Sequence, residues 1–219
     1  MKKFLILISI FISTLSANSW KKINLETDSF TGKKGIAFIN NSKDKVSGEN
    51  IKLIIKCGNK DYPEIIVNWN TFLHTEKVKM LERIISYDTK IEDKITKLNE
   101  DTEKKAQNLG ASLLDIKGNY YPVSKDFKSV FFPDINTIES NYKLSLKSKL
   151  YDLVNKKTLI LKVAPYNNNS ITATFNLSGL KELINPYKDI CKLPDDKEAD
   201  EITKLMLNNW KKIYENLNR

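Results

Sequence analysis

Few side chains of this chain could perform acid–base or nucleophilic chemistry. His74 is the one histidine among the 219 residues, and no nucleophile is placed beside it in a recognisable pattern. A histidine without a nucleophile and an orienting carboxylate is more typical of a structural or surface position than of catalysis. Asp195, Asp196 and Glu198 resemble paired catalytic carboxylates, but such acids are typical of the first turn of a helix, where they complement the helix dipole. The sequence therefore predicts no catalytic residue.

Cofactor chemistry is just as poorly represented. One histidine and two cysteines show no metal-ligand spacing. The seven glycines form neither a phosphate-binding loop nor a nucleophile elbow. We therefore expect a protein that is not an enzyme and that holds no metal and no cofactor. A hydrolase with an unrecognised carboxylate site is the weakest alternative.

The N-terminus has the pattern of an export signal. Lys2 and Lys3 precede an apolar stretch over residues 4–12, and small residues follow over 14–19. The apolar stretch is too short for a comfortable bilayer span of about 20 residues. We expect residues 1–17 to be a signal peptide, cleaved between 16 and 19, with an uncleaved anchor as the alternative. No later segment is expected to span a membrane, and the predicted location is the periplasm.

Export changes what the two cysteines imply. In an oxidising compartment, Cys57 and Cys191 are expected to form a disulfide. In the chain-entropy model, a bridge that closes so long a loop stabilises the fold by roughly 4–5 kcal/mol. Buried free thiols and a redox-active pair are the alternatives, but redox pairs are usually spaced as Cys-x-x-Cys. We favour a structural bridge.

The basic composition does not predict nucleic-acid binding. The formal net charge is +9, yet only Arg83 and Arg219 of the 36 basic residues are arginine. Arginine is the side chain that phosphate and base recognition favours. The lysines are scattered among acids and form no stripe. We interpret them as solvated surface charges, and a weak attraction to an anionic envelope surface is left open.

The first half of the mature chain has the pattern of short strands. Apolar, β-rich runs recur at residues 36–39, 51–57, 64–69 and 78–84. Turn-forming residues follow the first two runs at 40–44 and 58–61. The second and third runs are expected to pair as a hairpin. Strands at this spacing predict a sandwich or a strongly curved sheet.

A charged segment over residues 90–114 interrupts the strands. Heptad-like spacing, alternately four and three residues, links Ile91, Ile95, Leu98, Thr102, Lys105 and Leu109. Two of these seam positions are polar, which weakens a coiled-coil interpretation. We expect a solvated helix that lies on the domain, with a helical arm that binds a partner as the alternative.

Strands and helices share the second half of the chain. Strand-like runs occupy residues 120–123 and 128–132, and the segment 136–155 is weakly helical. A β-hairpin is predicted from 159–165 and 170–177. Ser178 is predicted to cap a short helix that Pro186 breaks.

The predicted fold class is therefore α+β. Residues 20–191 are expected to form a disulfide-tied, β-rich domain, either sandwich-like or built on a curved antiparallel sheet. Peripheral helices and the helical insertion at about 90–114 accompany the sheet. An amphipathic helix is expected to follow over residues 194–217.

Four stretches of the chain form a family-like pattern. They are a strand ending in Cys57, an aromatic strand ending in Trp69, the stretch Val78 to Arg83-Ile84, and the block Phe175-Asn-Leu-Ser-Gly179-Leu before Cys191. This pattern resembles the periplasmic proteins of the TagO (VasI) type that are associated with type VI secretion. The resemblance covers residues 20–191 and gives Trp69, Arg83, Phe175 and Gly179 as family-like structural positions.

The chain also departs from that family. The insertion at 90–114 and the final helix are extra, Tyr121 stands where the family usually has tryptophan, and Asn176 where it usually has aspartate. The resemblance implies a non-enzymatic accessory or binding protein of the cell envelope. Its expected partner is an envelope protein or a cell-wall component. A periplasmic immunity protein or enzyme inhibitor is the alternative, although the positive charge has the wrong sign for a basic target.

Overall fold

The computed structural model describes residues 20–27, 32, 34–43, 48, 50–87, 93, 97, 100–102, 104–105, 108, 114, 117–133, 135–167 and 169–217. The expected signal peptide over residues 1–17 lies outside these ranges. The strands are β1 (Trp20–Thr27), β2 (Lys34–Lys43), β3 (Asn50–Cys57), β4 (Glu64–Asn68), β5 (Lys77–Ile85), β6 (Asn119–Pro122), β7 (Ser129–Phe131), β8 (Thr158–Val163) and β9 (Ile171–Asn176). The named helices are α1 (Ile135–Val154), α2 (Leu180–Ile184), α3 (Lys188–Cys191) and α4 (Asp196–Leu217), with a 3-10 turn at Asn185–Tyr187.

The strands form two antiparallel sheets. The first sheet has the order β1-β2-β3-β4-β7, and the second has the order β6-β5-β8-β9. The predicted hairpins are present, because β3 pairs with β4 and β8 pairs with β9. Two antiparallel sheets with helices make an α+β fold, so the predicted fold class is confirmed.

One apolar core joins the two sheets. Alternate residues are buried along β3 and along β9, as expected for strands with one face in the core and one in water. The largest side chains of this core include Phe38 from the first sheet and Phe175 from the second. Leu146, Leu150 and Leu153 of α1 are completely buried in the same cluster. The helix therefore covers the core with one apolar stripe, although its sequence is only weakly amphipathic.

Side chains of β2 hold the free edge of the second sheet. The Nδ2 of Asn40 donates to the carbonyl oxygen of Asn176 over 2.6 Å, and Ser42 Oγ accepts the backbone N–H of Thr174 at 3.0 Å. Trp20 Nε1 donates to the same Asn176 oxygen at 3.1 Å. The prediction of a turn at residues 40–44 is thus wrong for 40–43, which continue β2. Asn40 and Ser42 are polar because they bond to a neighbouring sheet edge.

The charged insertion is helical where it is described. Residues 93, 97, 100–102, 104–105, 108, 114 and 117 have helical backbone, and most of these side chains are exposed. Of the predicted heptad positions, Thr102 is half-buried and Lys105 is exposed, whereas residues 91, 95, 98 and 109 lie outside the described part. Leu114 is buried, and the N–H of Gly118 donates to its carbonyl oxygen at 2.9 Å. The segment therefore ends by packing a leucine against the domain.

The C-terminal region is a chain of short helices closed by the cysteines. Gly179, with a φ of +81°, is the residue before α2, so the predicted cap at Ser178 is displaced by one residue. This left-handed backbone favours glycine, which has no Cβ to clash. The break predicted at Pro186 is present as the 3-10 turn. Cys191 ends α3 at disulfide distance from Cys57, with Cα atoms 4.6 Å apart, so the expected pairing is present.

Among the helices that the structure describes, none combines the length and the apolar character needed to cross a lipid bilayer.

Candidate functional site

The family-like positions lie in the scaffold and do not converge on a cleft. Trp69 and Phe175 are completely buried in the common core. Arg83 is half-buried on β5, opposite Ile160 of β8. Gly179 supplies the left-handed backbone before α2. These residues and the cysteine pair are placed to hold the fold together.

The acids that could be mistaken for a catalytic pair begin a helix. Asp195 Oδ1 accepts the backbone N–H of Glu198 at 2.8 Å, which is the hydrogen bond of an N-cap residue. Asp196 and Glu198 occupy the first turn of α4. Tyr151 donates its hydroxyl to Asp196 at 2.7 Å, and this hydrogen bond, aided by burial, raises the pKa of Tyr151 to about 12. The predicted role of these acids as first-turn residues agrees with this geometry.

A small cleft lies beside the same helix start. Its volume is about 370 Å³, and it is bounded by the end of α1, the short C-terminal helices and the start of α4. Both signs of charge line it, including Lys181, Lys188 and Asp189. Lys181 already donates to Asn155 Oδ1 at 2.7 Å. This hydrogen bond ties the short helix α2 to the end of α1.

A largely buried ion pair joins α1 to β5. Lys149 contacts Glu82, and their side chains are only 14% and 17% exposed. The Lys149 Nζ also lies 5.0 Å from the centre of the Phe132 ring. Burial lowers the pKa of Lys149 to about 7, and the charge of Asp152 opposes this. Burial raises the pKa of Asp152, against the opposing charge of Lys149. The contact links the helix to the sheet.

Exposed aromatic side chains gather at one end of the two sheets. Phe72, Phe127 and Tyr166 are 43%, 39% and 57% exposed, and His74 is exposed beside them. The ring centres of Phe72 and Phe127 are 5.8 Å apart, and those of His74 and Tyr166 are also 5.8 Å apart. We call these four side chains the aromatic platform. Clustered apolar surface of this kind marks interaction sites in soluble domains.

Three separate segments build the aromatic platform. Residues 69–76 follow β4, residues 124–128 connect β6 to β7, and residues 164–167 follow β8. The N–H of Leu73 donates to the carbonyl oxygen of Phe127, and the carbonyl oxygen of Leu73 accepts the N–H of Tyr166, each over 2.8 Å. Because Leu73 itself is completely buried, it anchors the outer rings from below.

The turn that carries Phe127 is fixed by its own polar groups. Asp126 accepts the hydroxyl of Ser124, and its Oδ1 accepts the backbone N–H of Lys128 at 3.0 Å. The hydrogen bond from Ser124, followed by that from Lys128, lowers the pKa of Asp126. The N–H of Ser129 returns to Ser124 Oγ at 3.1 Å. The carboxylate is therefore engaged in holding the turn.

The backbone of Phe127 is unusual for its side chain. Its φ is +57°, in the left-handed region where glycine and asparagine are common and bulky residues are rare. The last residue of a short hairpin turn often adopts this conformation, and glycine is the usual choice there. The conformation costs a non-glycine residue about 1–2 kcal/mol. Such a cost at an exposed phenylalanine points to a role for the ring outside folding.

Lysines border the aromatic platform. Lys125 and Lys128 lie on either side of Phe127 in the chain and are exposed. Lys77, the first residue of β5, directly follows the segment 69–76 and is also exposed. The Lys77 Nζ lies 5.0 Å from the centre of the Tyr120 ring, a cation–π distance. Glu76 supplies an exposed charge of the opposite sign. The arrangement can bind through apolar contact and positive charge, but it brings together no nucleophile, base and orienting acid.

The sequence interpretation missed the aromatic platform. Phe72, Phe127 and Tyr166 are far apart in the chain, and only the pairing of β4, β7, β5 and β8 brings their loops together. One local signal was available, because each aromatic residue stands among turn-forming polar residues, as in Lys125-Asp126-Phe127-Lys128. An aromatic side chain in such a turn has no core to enter.

Within the residues that the structure describes, no group of three or more histidine, cysteine, aspartate or glutamate side chains could hold a metal ion. Comparison with known proteins found no matching family, no matching curated protein and no matching solved structure.

Proposed function

We propose that the protein is a non-enzymatic accessory protein of the cell envelope, located in the periplasm, and that the aromatic platform is its binding surface. The observation that carries this proposal is the strained, exposed Phe127 held beside Phe72. A ring that enters no core while its backbone is strained contributes little to folding. A partner that covers the ring would use surface that the fold leaves exposed.

The platform has the rigidity that binding favours. Its segments are connected through both backbone groups of Leu73, and Trp69 N–H donates to the carbonyl oxygen of Lys128 at 2.9 Å. A surface held in its bound geometry loses little conformational entropy on association. Aromatic side chains are common anchors of interaction sites because each buries a large area.

Two sequence features support the cellular location. The pattern of residues 1–19 is that of an export signal, and the pairing of Cys57 with Cys191 suits an oxidising compartment. The resemblance to the TagO (VasI) type adds an association with type VI secretion to the proposal. The Asn176 of its last motif block accepts hydrogen bonds from Trp20 and Asn40 through its carbonyl oxygen, a structural role that does not depend on a carboxylate there.

The proposal is tested by capture with a matched pair of variants. The oxidised protein is immobilised and exposed to solubilised envelope material, and Phe72→Ser/Phe127→Ser is compared with Ile23→Ser. Ile23 is 46% exposed on β1, the opposite edge of the first sheet from β7. We expect an envelope component that the wild type and Ile23→Ser retain and the double variant loses.

The same design shows how the proposal fails. If both variants retain the component equally, the aromatic platform is not the binding surface. If residues 1–19 fail to export a reporter, the proposed periplasmic location is wrong. Recovery of a toxin enzyme, inhibited by the wild-type protein, would instead favour the immunity or inhibitor function.

A further inference from the structure

We infer that the aromatic platform docks on an anionic lipid surface. This inference rests on the proposed function, since it names the partner of the same site. The four rings stand on three fixed loops at one end of the molecule, and cationic side chains border them. Apolar rings that enter the headgroup region, together with lysines that contact anionic lipids, are the usual composition of an interfacial anchor.

The geometry of the rings argues against a glycan strand. A sugar ring binds best on a flat aromatic face, and neighbouring sugars need neighbouring faces that share one plane. Phe72 and Phe127 are inclined by 57°, and His74 and Tyr166 by 77°. The rings of neither pair therefore share one plane. Flexible lipid chains adapt to such a surface, whereas a stiff saccharide does not.

The composition of the site argues against a protein partner as well. Aromatic side chains, phenylalanine included, are enriched at the cores of protein interfaces, but lysine is depleted there. The lysines Lys125 and Lys128 are exposed beside the platform. Phenylalanine suits a surface into which a ring inserts without a hydrogen-bond partner. Tyr166 and His74 add amphipathic rings that suit the boundary between headgroups and water.

The charge distribution favours an anionic surface. The three segments and the start of β5 contain Lys77, Lys125 and Lys128 against Glu76 and Asp126. Asp126 accepts hydrogen bonds from the Ser124 hydroxyl and from the backbone N–H of Lys128, so its carboxylate stays charged and these segments keep a small excess of positive charge. The rest of the protein adds to this attraction, because the formal net charge of +9 falls only to +7 when Lys2 and Lys3 leave with the signal peptide. Long-range attraction of this kind orients a protein before apolar contact forms.

Sedimentation with lipid vesicles tests the inference. The oxidised protein is mixed with vesicles of phosphatidylcholine alone and with vesicles that also contain phosphatidylglycerol. We expect binding to the anionic vesicles only, weakened by added salt because screening reduces attraction between exposed charges. Loss of the two rings in Phe72→Ser/Phe127→Ser should weaken binding at least about tenfold. Ile23→Ser should bind as the wild type does.

A second variant keeps the test independent of the first. Lys125→Gln/Lys128→Gln leaves the rings in place and should weaken binding to anionic vesicles by about ten- to thirtyfold. Absence of wild-type binding to anionic vesicles would overturn the inference, as would binding that neither double variant weakens. If an envelope protein or glycan is instead captured through Phe72 and Phe127, the proposed function stands and the lipid inference is wrong.

Discussion

The backbone N–H of Leu73 donates to the carbonyl oxygen of Phe127 over 2.8 Å, although the two residues are 54 positions apart in the chain. Leu73 is completely buried, whereas the phenylalanine ring is exposed. One hydrogen bond thus ties a core residue to an exposed aromatic ring. Because the Leu73 carbonyl also receives the N–H of Tyr166, three loops share one anchor. The aromatic platform is therefore part of the folded scaffold.

Phe127→Gly should separate the needs of folding from those of binding. Glycine adopts the left-handed backbone of this position without strain, so we expect the free energy of unfolding to stay unchanged or to rise by up to about 1 kcal/mol. Binding to the envelope partner should fall, because the ring is lost. Urea unfolding and the capture assay measure the two effects. A fall in the free energy of unfolding of more than about 1 kcal/mol would mean that the ring supports the fold. Backbone strain at Phe127 would then no longer indicate a binding role.

Removal of the disulfide should be costly. The bridge joins residues that are 134 positions apart. Cys57→Ala/Cys191→Ala should lower the free energy of unfolding by up to about 5 kcal/mol, since the unfolded chain regains the entropy of an open loop. Urea unfolding of the variant is compared with that of the wild type under oxidising and reducing conditions. Equal stability with and without reductant in the wild type would contradict a structural bridge.

The hydrogen bonds from β2 side chains to β9 of the other sheet can be tested by substitutions on β2 alone. Ser42→Ala removes the acceptor of the Thr174 N–H and should lower the free energy of unfolding by about 1–3 kcal/mol. Asn41→Ala is the matched control, because Asn41 is the exposed neighbour on β2 and should change stability by less than about 0.5 kcal/mol. Chemical denaturation measures both. A similar loss of unfolding free energy for the two substitutions would show that the hydrogen bond between Ser42 and Thr174 adds no specific stability.

The contacts between β2 and β9 also show where sequence patterns predict the structure and where they do not. The runs that became β3 and β9 are readable because one sheet face is apolar and the other is wet, which produces alternation along the strand. Asn40 and Ser42 break that rule. Their polar side chains bond to the edge of another sheet, and such a tertiary partner leaves no local signature.

The helices and the candidate site also differ in how far the sequence predicts them. The 20-residue α1 is only weakly amphipathic, and the burial of Leu146, Leu150 and Leu153 in the core holds its C-terminal half in place. The cysteine pairing was predictable because two cysteines in an exported chain have one intramolecular choice. The aromatic platform was not, because its position depends on strand order, which local periodicity does not encode.

The stability of the protein should respond to pH through Lys149. Burial lowers the pKa of Lys149 from 10.5 to about 7 in the folded protein. Between these values the unfolded chain binds more protons at this residue, so its contribution to the free energy of unfolding rises as the pH increases from about 7 towards 10.

Matched variants isolate that contribution. Lys149→Met should flatten the rise measured by urea unfolding at a series of pH values. Lys147→Met is the control, since Lys147 forms a more exposed pair with Glu198 at 3.2 Å and should leave the rise in place. A Lys149→Met protein with the same pH profile as the wild type would contradict the assigned titration.

Site-specific photo-crosslinking in cells tests the central claim most directly, because it asks what touches the aromatic platform where the protein works. A photoreactive amino acid is placed at Phe72, and, as a control, at Tyr87, which is 58% exposed just beyond β5. We predict a crosslink to an envelope component from position 72 and none of the same product from position 87. The same yield of that product from both positions, or only uncrosslinked protein from position 72, would contradict the account.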